Sequence, residues 1–141
     1  MALVAPAGPV DEATIQRAIR RCRDLGLEPV PGSAVRERTG YLAGPDRDRA
    51  ADLTAAIVGD AAGIWALRGG YGTLRMLEHV DLTPLRERPK PFIGFSDNTA
   101  VHQRSVSQSR RGEDPGNSRG SPHGCGDITG AKLDQLARVQ V

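Results

Sequence analysis

Short apolar runs alternate with amphipathic stretches from the N-terminus to His102. Leu3-Val4-Ala5 is cut by Pro6-Ala7-Gly8-Pro9, after which Asp11 can cap a segment carrying Ile15, Ala18, Ile19, Cys22 and Leu25 on one helical face. Gly26 is placed to end that helix, and Leu27 to Val30 reads as a second strand. Val35 to Pro45 is irregular and mixed in charge. Arg49 to Val58 sets Ala50, Leu53 and Ile57 at helical spacing, while Asp46, Asp48 and Asp52 with Arg47 and Arg49 read as a solvated, ion-paired face. Gly63 to Leu67 is a continuous apolar run, as expected of a parallel strand covered on both sides. Thr73 to Val80 reads as a short helix with Leu74 and Leu77 inward, and Phe92-Ile93 begins the next strand.

Strands alternating with helices at this spacing predict an α/β fold, an open and mostly parallel sheet with helices on both faces in a flavodoxin-like or Rossmann-like three-layer arrangement. In such sheets reactive groups gather beyond the carboxyl ends of the strands, where Arg68-Gly69-Gly70-Tyr71-Gly72 and Gly94-Phe95-Ser96 both fall. The pattern fails after His102. Between Gln103 and Gly126 the one aliphatic side chain is Val106, amid serine, arginine and glycine, so the segment cannot bury enough apolar surface to offset its conformational entropy. The expected organisation is a domain over 1–102, a low-complexity, poorly ordered tail over 103–126, and a weak helical remnant over 127–141 carried by Leu133, Leu136 and Val139.

Composition narrows the function. A chain of 141 residues supports one core. Lys plus Arg number 19 against 17 Asp plus Glu, a net +2 too balanced to imply nucleic acid as a partner. Cys22 and Cys125 have no neighbours at metal-ligand or redox-motif spacing, so no metal is expected and a reduced, cytoplasmic setting fits. No stretch approaches the ~20 apolar residues of a membrane span.

The Arg68 to Gly72 turn could bring backbone N–H groups to an anion, although a plain tight turn is an equal reading. Neither a P-loop lysine nor the full dinucleotide glycine spacing follows it. Ser96 stands where a strand meets a helix. That position suits a displayed nucleophile or a helix cap, and Asp97 could equally be the cap. Two glycine turns after two successive core strands could converge on one oxyanion. His79 reads as a solvated helix-end residue, His102 points away from the turn, and His123 has no predictable position.

Taken together, Val4-Ala5-Pro6-Ala7-Gly8, Tyr41-Leu42-Ala43-Gly44 with Arg49-Ala50-Ala51-Asp52-Leu53, Ile64 to Gly72, and Pro89 to Ala100 resemble the LD-carboxypeptidases. These serine peptidases include muramoyl-tetrapeptide carboxypeptidase and the microcin C self-immunity protein. The resemblance runs from Leu3 to about His102. It implies cleavage of the amide joining an L-residue to a terminal D-alanine in cytoplasmic murein peptides during cell-wall recycling, with related members acting on peptide-nucleotide antibiotics, and no metal or other cofactor. By it Ser96 is the nucleophile, the backbone N–H groups of Gly70 and Asp97 form the oxyanion hole, and Gly69 and Tyr71 contact substrate. The family's glutamate and histidine come from a second, C-terminal domain and have no counterpart here, so weak or no activity is expected of this chain alone. A missing C-terminal domain or a homodimer would be its partner.

Two positions depart from the family pattern: Asn98 replaces a usually apolar residue, and 103–126 replaces a helix, as a frameshifted segment would. Two further readings stay open: a non-catalytic flavodoxin-like module holding an anionic or peptide ligand at Gly69 to Gly72, and one half of a split hydrolase.

Overall fold

The computed structural model of the chain describes residues 1–110, with side chains described through Ser105. Four short strands, β1 (Ala2–Val4), β2 (Val30–Pro31), β3 (Ile64–Ala66) and β4 (Phe92–Ile93), form one parallel sheet in the order β2-β1-β3-β4. Between and after them run α1 (Glu12–Asp24), α2 (Asp46–Val58), α3 (Thr73–Met76), α4 (Pro84–Glu87) and α5 (Thr99–Arg110). This is the expected α/β sheet, in the flavodoxin-like strand order.

The period of two along each strand sorts the core into two layers. Ala2, Val4, Ile64 and Ala66 point to one face and pack with Leu53 and Ile57 of α2, Met76 and Leu77. Leu3, Ala5, Trp65 and Leu67 point to the other and pack with Ile15, Ala18 and Cys22 of α1. Every residue of β1 and β3 is buried, which is why both strands read as unbroken apolar runs. Each fully buried leucine or isoleucine contributes about 2 kcal/mol to this arrangement.

The first helix begins where its sequence predicts. Asp11 is extended, and its carboxylate accepts the Thr14 N–H and the Thr14 hydroxyl, both at 2.8 Å. At the other end the Leu27 N–H returns to the Cys22 carbonyl at 2.9 Å, so the chain is still closing the helix there and pairing in β2 starts only at Val30. Pro29 and Pro31 lack the N–H a central strand requires, which confines this segment to the sheet edge.

Two expectations need correction. Leu74 is exposed, and Met76 with Leu77 makes the inward contact instead, because the α-helical turn covers only Thr73–Met76 before tightening at Leu77–His79. Arg49, Asp46 and Asp52 are not a solvated face. Arg49 is buried, and Asp52 accepts the Ser33 N–H at 2.9 Å and the Ala34 N–H at 2.8 Å, anchoring the turn at Ser33–Arg36. The last described element, α5, runs from Thr99 to Arg110. Its first turn docks through buried Ala100 and Val101. The rest of the expected tail, 111–126, and the helical remnant over 127–141 lie outside the described residues, as do His123 and Cys125.

Candidate active site

The loops after β1, β3 and β4 meet at the carboxyl edge of the sheet. Because β2 lies on one side of β1 and β3 on the other, the loops after β1 and β3 flank the point where the strand order reverses, the natural ligand crevice of such a sheet. The Gly8 N–H donates to the Gly69 carbonyl at 3.3 Å, and the Arg68 guanidinium donates to the Pro9 carbonyl at 2.6 Å, joining these two loops.

Ser96 lies between β4 and α5 with φ at +56°, the one non-glycine residue among those described that occupies the left-handed region. For an L-residue that backbone costs ~1–2 kcal/mol, and such strain gathers at functional sites. The chain turns sharply there, between a strand and a helix. Ser96 is exposed and makes no side-chain cap, and its carbonyl accepts the Thr99 hydroxyl at 2.5 Å. The bare α-carbon of Gly69 permits this approach. A Cβ there would lie 2.9 Å from Ser96 Cβ and 3.2 Å from the Phe95 carbonyl oxygen. Gly70 follows with φ at +133°, and a Cβ on it would come within 3.2 Å of Gly8 N.

The residues after Ser96 lock its turn to the glycine turn. The Asp97 carboxylate accepts the Thr73 N–H at 2.8 Å, so it caps the neighbouring helix α3 rather than its own. Fully buried Asn98 donates to the Arg68 carbonyl at 3.0 Å and accepts the Thr73 hydroxyl at 3.3 Å. An apolar residue could do neither. The backbone N–H groups of Gly70 and Asp97 make no hydrogen bond among the described residues.

Residues 1–110 match the LD-carboxypeptidase N-terminal domain. The chain belongs to this LD-carboxypeptidase family. A carboxypeptidase-like protein of Streptomyces coelicolor is 44% identical over 108 residues, 73% of this chain and 35% of its own. The murein tetrapeptide carboxypeptidase of Pseudomonas aeruginosa is 36% identical over 99 residues, 69% of this chain and 32% of its own. Among solved structures, the muramoyltetrapeptide carboxypeptidase of Oxalobacter formigenes superposes with a TM-score of 0.66 at 32% identity, over 75% of this chain and 36% of that one. The microcin C7 self immunity protein MccF, in complex with aspartyl sulfamoyl adenosine, shares the fold at a TM-score of 0.71 and 20% identity, over 77% of this chain and 34% of its own. The chain therefore spans about a third of the length of the curated relatives it matches.

Within this LD-carboxypeptidase domain the expected site residues come together unequally. Ser96, Gly69, Gly70 and Asp97 form one cluster. Tyr71 projects beside it at 58% exposure and packs on Tyr41, ring centroids 5.8 Å apart, over a cleft of about 450 Å³. The histidines stand apart: His79 is exposed at the end of its turn, and His102 meets Phe92 edge-on at 5.1 Å. Neither hydrogen-bonds Ser96 among the described residues.

Sequence reading put Arg49 on a solvated face and so missed its part in the site. Its guanidinium donates to the Gly44 carbonyl and the Gly72 carbonyl, both at 3.2 Å, to the Pro6 carbonyl, and to Asp46. Asp46 in turn pairs with Arg75 at 2.8 Å. Burial pushes the Arg49 guanidinium down from its ordinary value while Asp46 opposes the change, and an arginine starts so high that it stays charged. The signal was present, because Arg49 shares the helical stripe of Ala50, Leu53, Ala56 and Ile57.

Proposed function

We propose that the chain is the nucleophile-bearing domain of a serine-type LD-carboxypeptidase acting on the amide to a terminal D-alanine in murein peptides, within the cytoplasm. The observation that carries the reading is the left-handed Ser96, exposed at a strand-to-helix turn and packed against Gly69. In this reading Ser96 Oγ attacks the scissile carbonyl carbon, and its proton passes to a general base contributed from outside residues 1–110. The carbonyl oxygen becomes an oxyanion held by the N–H groups of Gly70 and Asp97. The base returns that proton to the leaving nitrogen, the C–N bond breaks, and D-alanine departs, leaving an acyl-serine for water to hydrolyse. Each oxyanion donor would contribute ~100 to 1,000-fold in rate.

Three features support the assignment. The strain at Ser96 is tolerated rather than relieved by glycine, as expected where a hydroxyl is needed. Asp97 and Asn98 tie the turn that carries the nucleophile to the turn that carries Gly70, fixing the two relative to each other before substrate arrives. Two relatives bear names that state a murein or muramoyl tetrapeptide carboxypeptidase, one at 36% and one at 32% identity.

The test is covalent labelling. A fluorophosphonate is expected to modify the 141-residue chain at Ser96, as read by mass spectrometry of the peptide, and Ser96→Ala is expected to abolish modification while the far-ultraviolet spectrum is unchanged. Labelling that persists in the Ser96→Ala variant would count against the reading.

A further inference from the structure

The turn that carries Gly70 has little within itself to fix its shape. Three of the four residues over 69–72 are glycine, and φ stands at +133° for Gly70 and +117° for Gly72, so the backbone there keeps the widest freedom a chain can have. Contacts from elsewhere steady it: the Gly8 N–H donates to the Gly69 carbonyl at 3.3 Å, and Arg49 donates to the Gly72 carbonyl at 3.2 Å. Neither contact refers the turn to Ser96. That reference comes from the segment after the serine, where the Asp97 carboxylate takes the Thr73 N–H at 2.8 Å and Asn98 does more. Asn98 Nδ2 donates to the Arg68 carbonyl just before the glycines, at 3.0 Å, and Asn98 Oδ1 accepts the Thr73 hydroxyl just after them, at 3.3 Å. The Asn98 N–H donates to the Phe95 carbonyl at 3.2 Å, closing the backbone around Ser96. One planar amide thus spans both ends of the glycine turn from the turn that carries the serine. Thr73 and Asn98 are both fully buried. Buried amide and hydroxyl groups cost free energy unless bonded, and when bonded to each other they single out one arrangement.

We propose that the Thr73 hydroxyl and the Asn98 amide form a coupled pair of positioning residues that holds the Gly70 N–H in one direction relative to Ser96. The inference rests on the serine peptidase reading, in which that N–H receives the oxyanion, and adds to it the side chains that aim the donor. A donor stabilises developing charge fully only when it is already aligned, since one that must reorient during the reaction gives back part of the gain. With both hydrogen bonds made, the ends of the glycine turn are pinned and Gly70 has one conformation. With the Thr73 hydroxyl removed, the Asn98 amide is free to turn, the Arg68 contact weakens with it, and Gly70 samples the other conformations open to glycine. Neither side chain touches the reacting atoms in this account.

The measurement is backbone ¹⁵N relaxation of the 141-residue chain, read as the order parameter of the Gly70 N–H. In the wild type it is expected near the rigid value of about 0.85, and in Thr73→Val, which keeps the shape of the side chain and the N–H bond to Asp97, below about 0.6. Thr73→Ser, which keeps the hydroxyl, is expected to stay near wild type. Asn98→Leu should match Thr73→Val, and the double variant should be no looser than either single one, as for two halves of one contact. Amides of β1 and β3 are expected to be unchanged throughout. If Asn98→Leu fails to fold, the contrast between valine and serine at 73 decides alone. A Gly70 that stays rigid in Thr73→Val, loosens equally in Thr73→Ser, or loosens only together with β1 and β3 would overturn the proposal. Failure of the underlying reading has a separate signature. If fluorophosphonate labelling persists in Ser96→Ala while Gly70 loosens in Thr73→Val, the tether stands and the serine chemistry falls. If labelling is lost in Ser96→Ala and Gly70 stays rigid in Thr73→Val, the reverse holds.

Discussion

Gly69 is the residue whose smallness the site most depends on. Alanine there would bring its methyl within 2.9 Å of Ser96 Cβ and 3.2 Å of the Phe95 carbonyl, and backbone on one side leaves only the serine free to move. We expect Gly69→Ala to slow fluorophosphonate labelling of Ser96 by roughly 100-fold, since a misplacement near 1 Å has effects of that order. A variant that labels at the wild-type rate would show that the contact is slack. Of this cluster, Ser96 and Gly70 were legible in the sequence, because a glycine-rich end to an apolar run is visible without a structure. Asn98 was legible only as an oddity. Its meaning needs the third dimension, for Arg68 and Thr73 lie 30 and 25 positions away and come within its reach only when β3 and β4 pair.

Among the elements, α1 shows how a single cap sets a boundary that pH can test. The Thr14 hydroxyl first, and then the Thr14 N–H, hold the Asp11 carboxyl below its usual range. A carboxyl with a depressed folded value stabilises the fold fully above its unfolded pKa of about 4 and loses that contribution as pH falls through the lower folded value. Melting midpoints of wild type and Asp11→Asn, compared between neutral pH and pH about 2.5, are expected to converge on acidification. A gap that stays constant would mean that the charge on Asp11 is irrelevant to the cap. The periodicity that located α1 also located α2 and missed only its N-terminal residues. It misjudged Arg49 because charge was taken as a sign of solvent, whereas position on the stripe of Ala50, Leu53 and Ile57 is what decides burial.

At the scale of the molecule, Arg49 joins parts of the chain that the sheet does not. Its fork reaches Pro6 after β1, Gly44 before α2 and Gly72 after β3, so it fixes the loops that frame the crevice. We expect Arg49→Ala to lower the free energy of unfolding by about 3 kcal/mol in urea titrations, because it removes a buried charge from partners that remain buried. Arg49→Lys should fall between the two, since one ammonium cannot span the same carbonyls. A Lys variant as stable as wild type would reduce the fork to a simple counter-charge for Asp46. The parallel sheet was legible from four strand-length runs in order, but the order β2-β1-β3-β4 follows from crossovers that no periodicity reveals. That order decides which loops become neighbours, and hence why Gly8 and Gly69, far apart in sequence, share a hydrogen bond.

The positive φ of Ser96 sets resilience and reactivity against each other in this chain. Ser96→Gly should relieve a left-handed side chain worth about 1 kcal/mol, partly offset by the greater freedom of glycine in the unfolded chain. A melting midpoint at or above that of wild type, in a protein that no longer reacts with fluorophosphonate, is the expected result, and a clearly lower midpoint would contradict it. Selection for heat resistance alone would then favour erasing the hydroxyl, so a lineage that retains serine at 96 is being held there by chemistry rather than by folding.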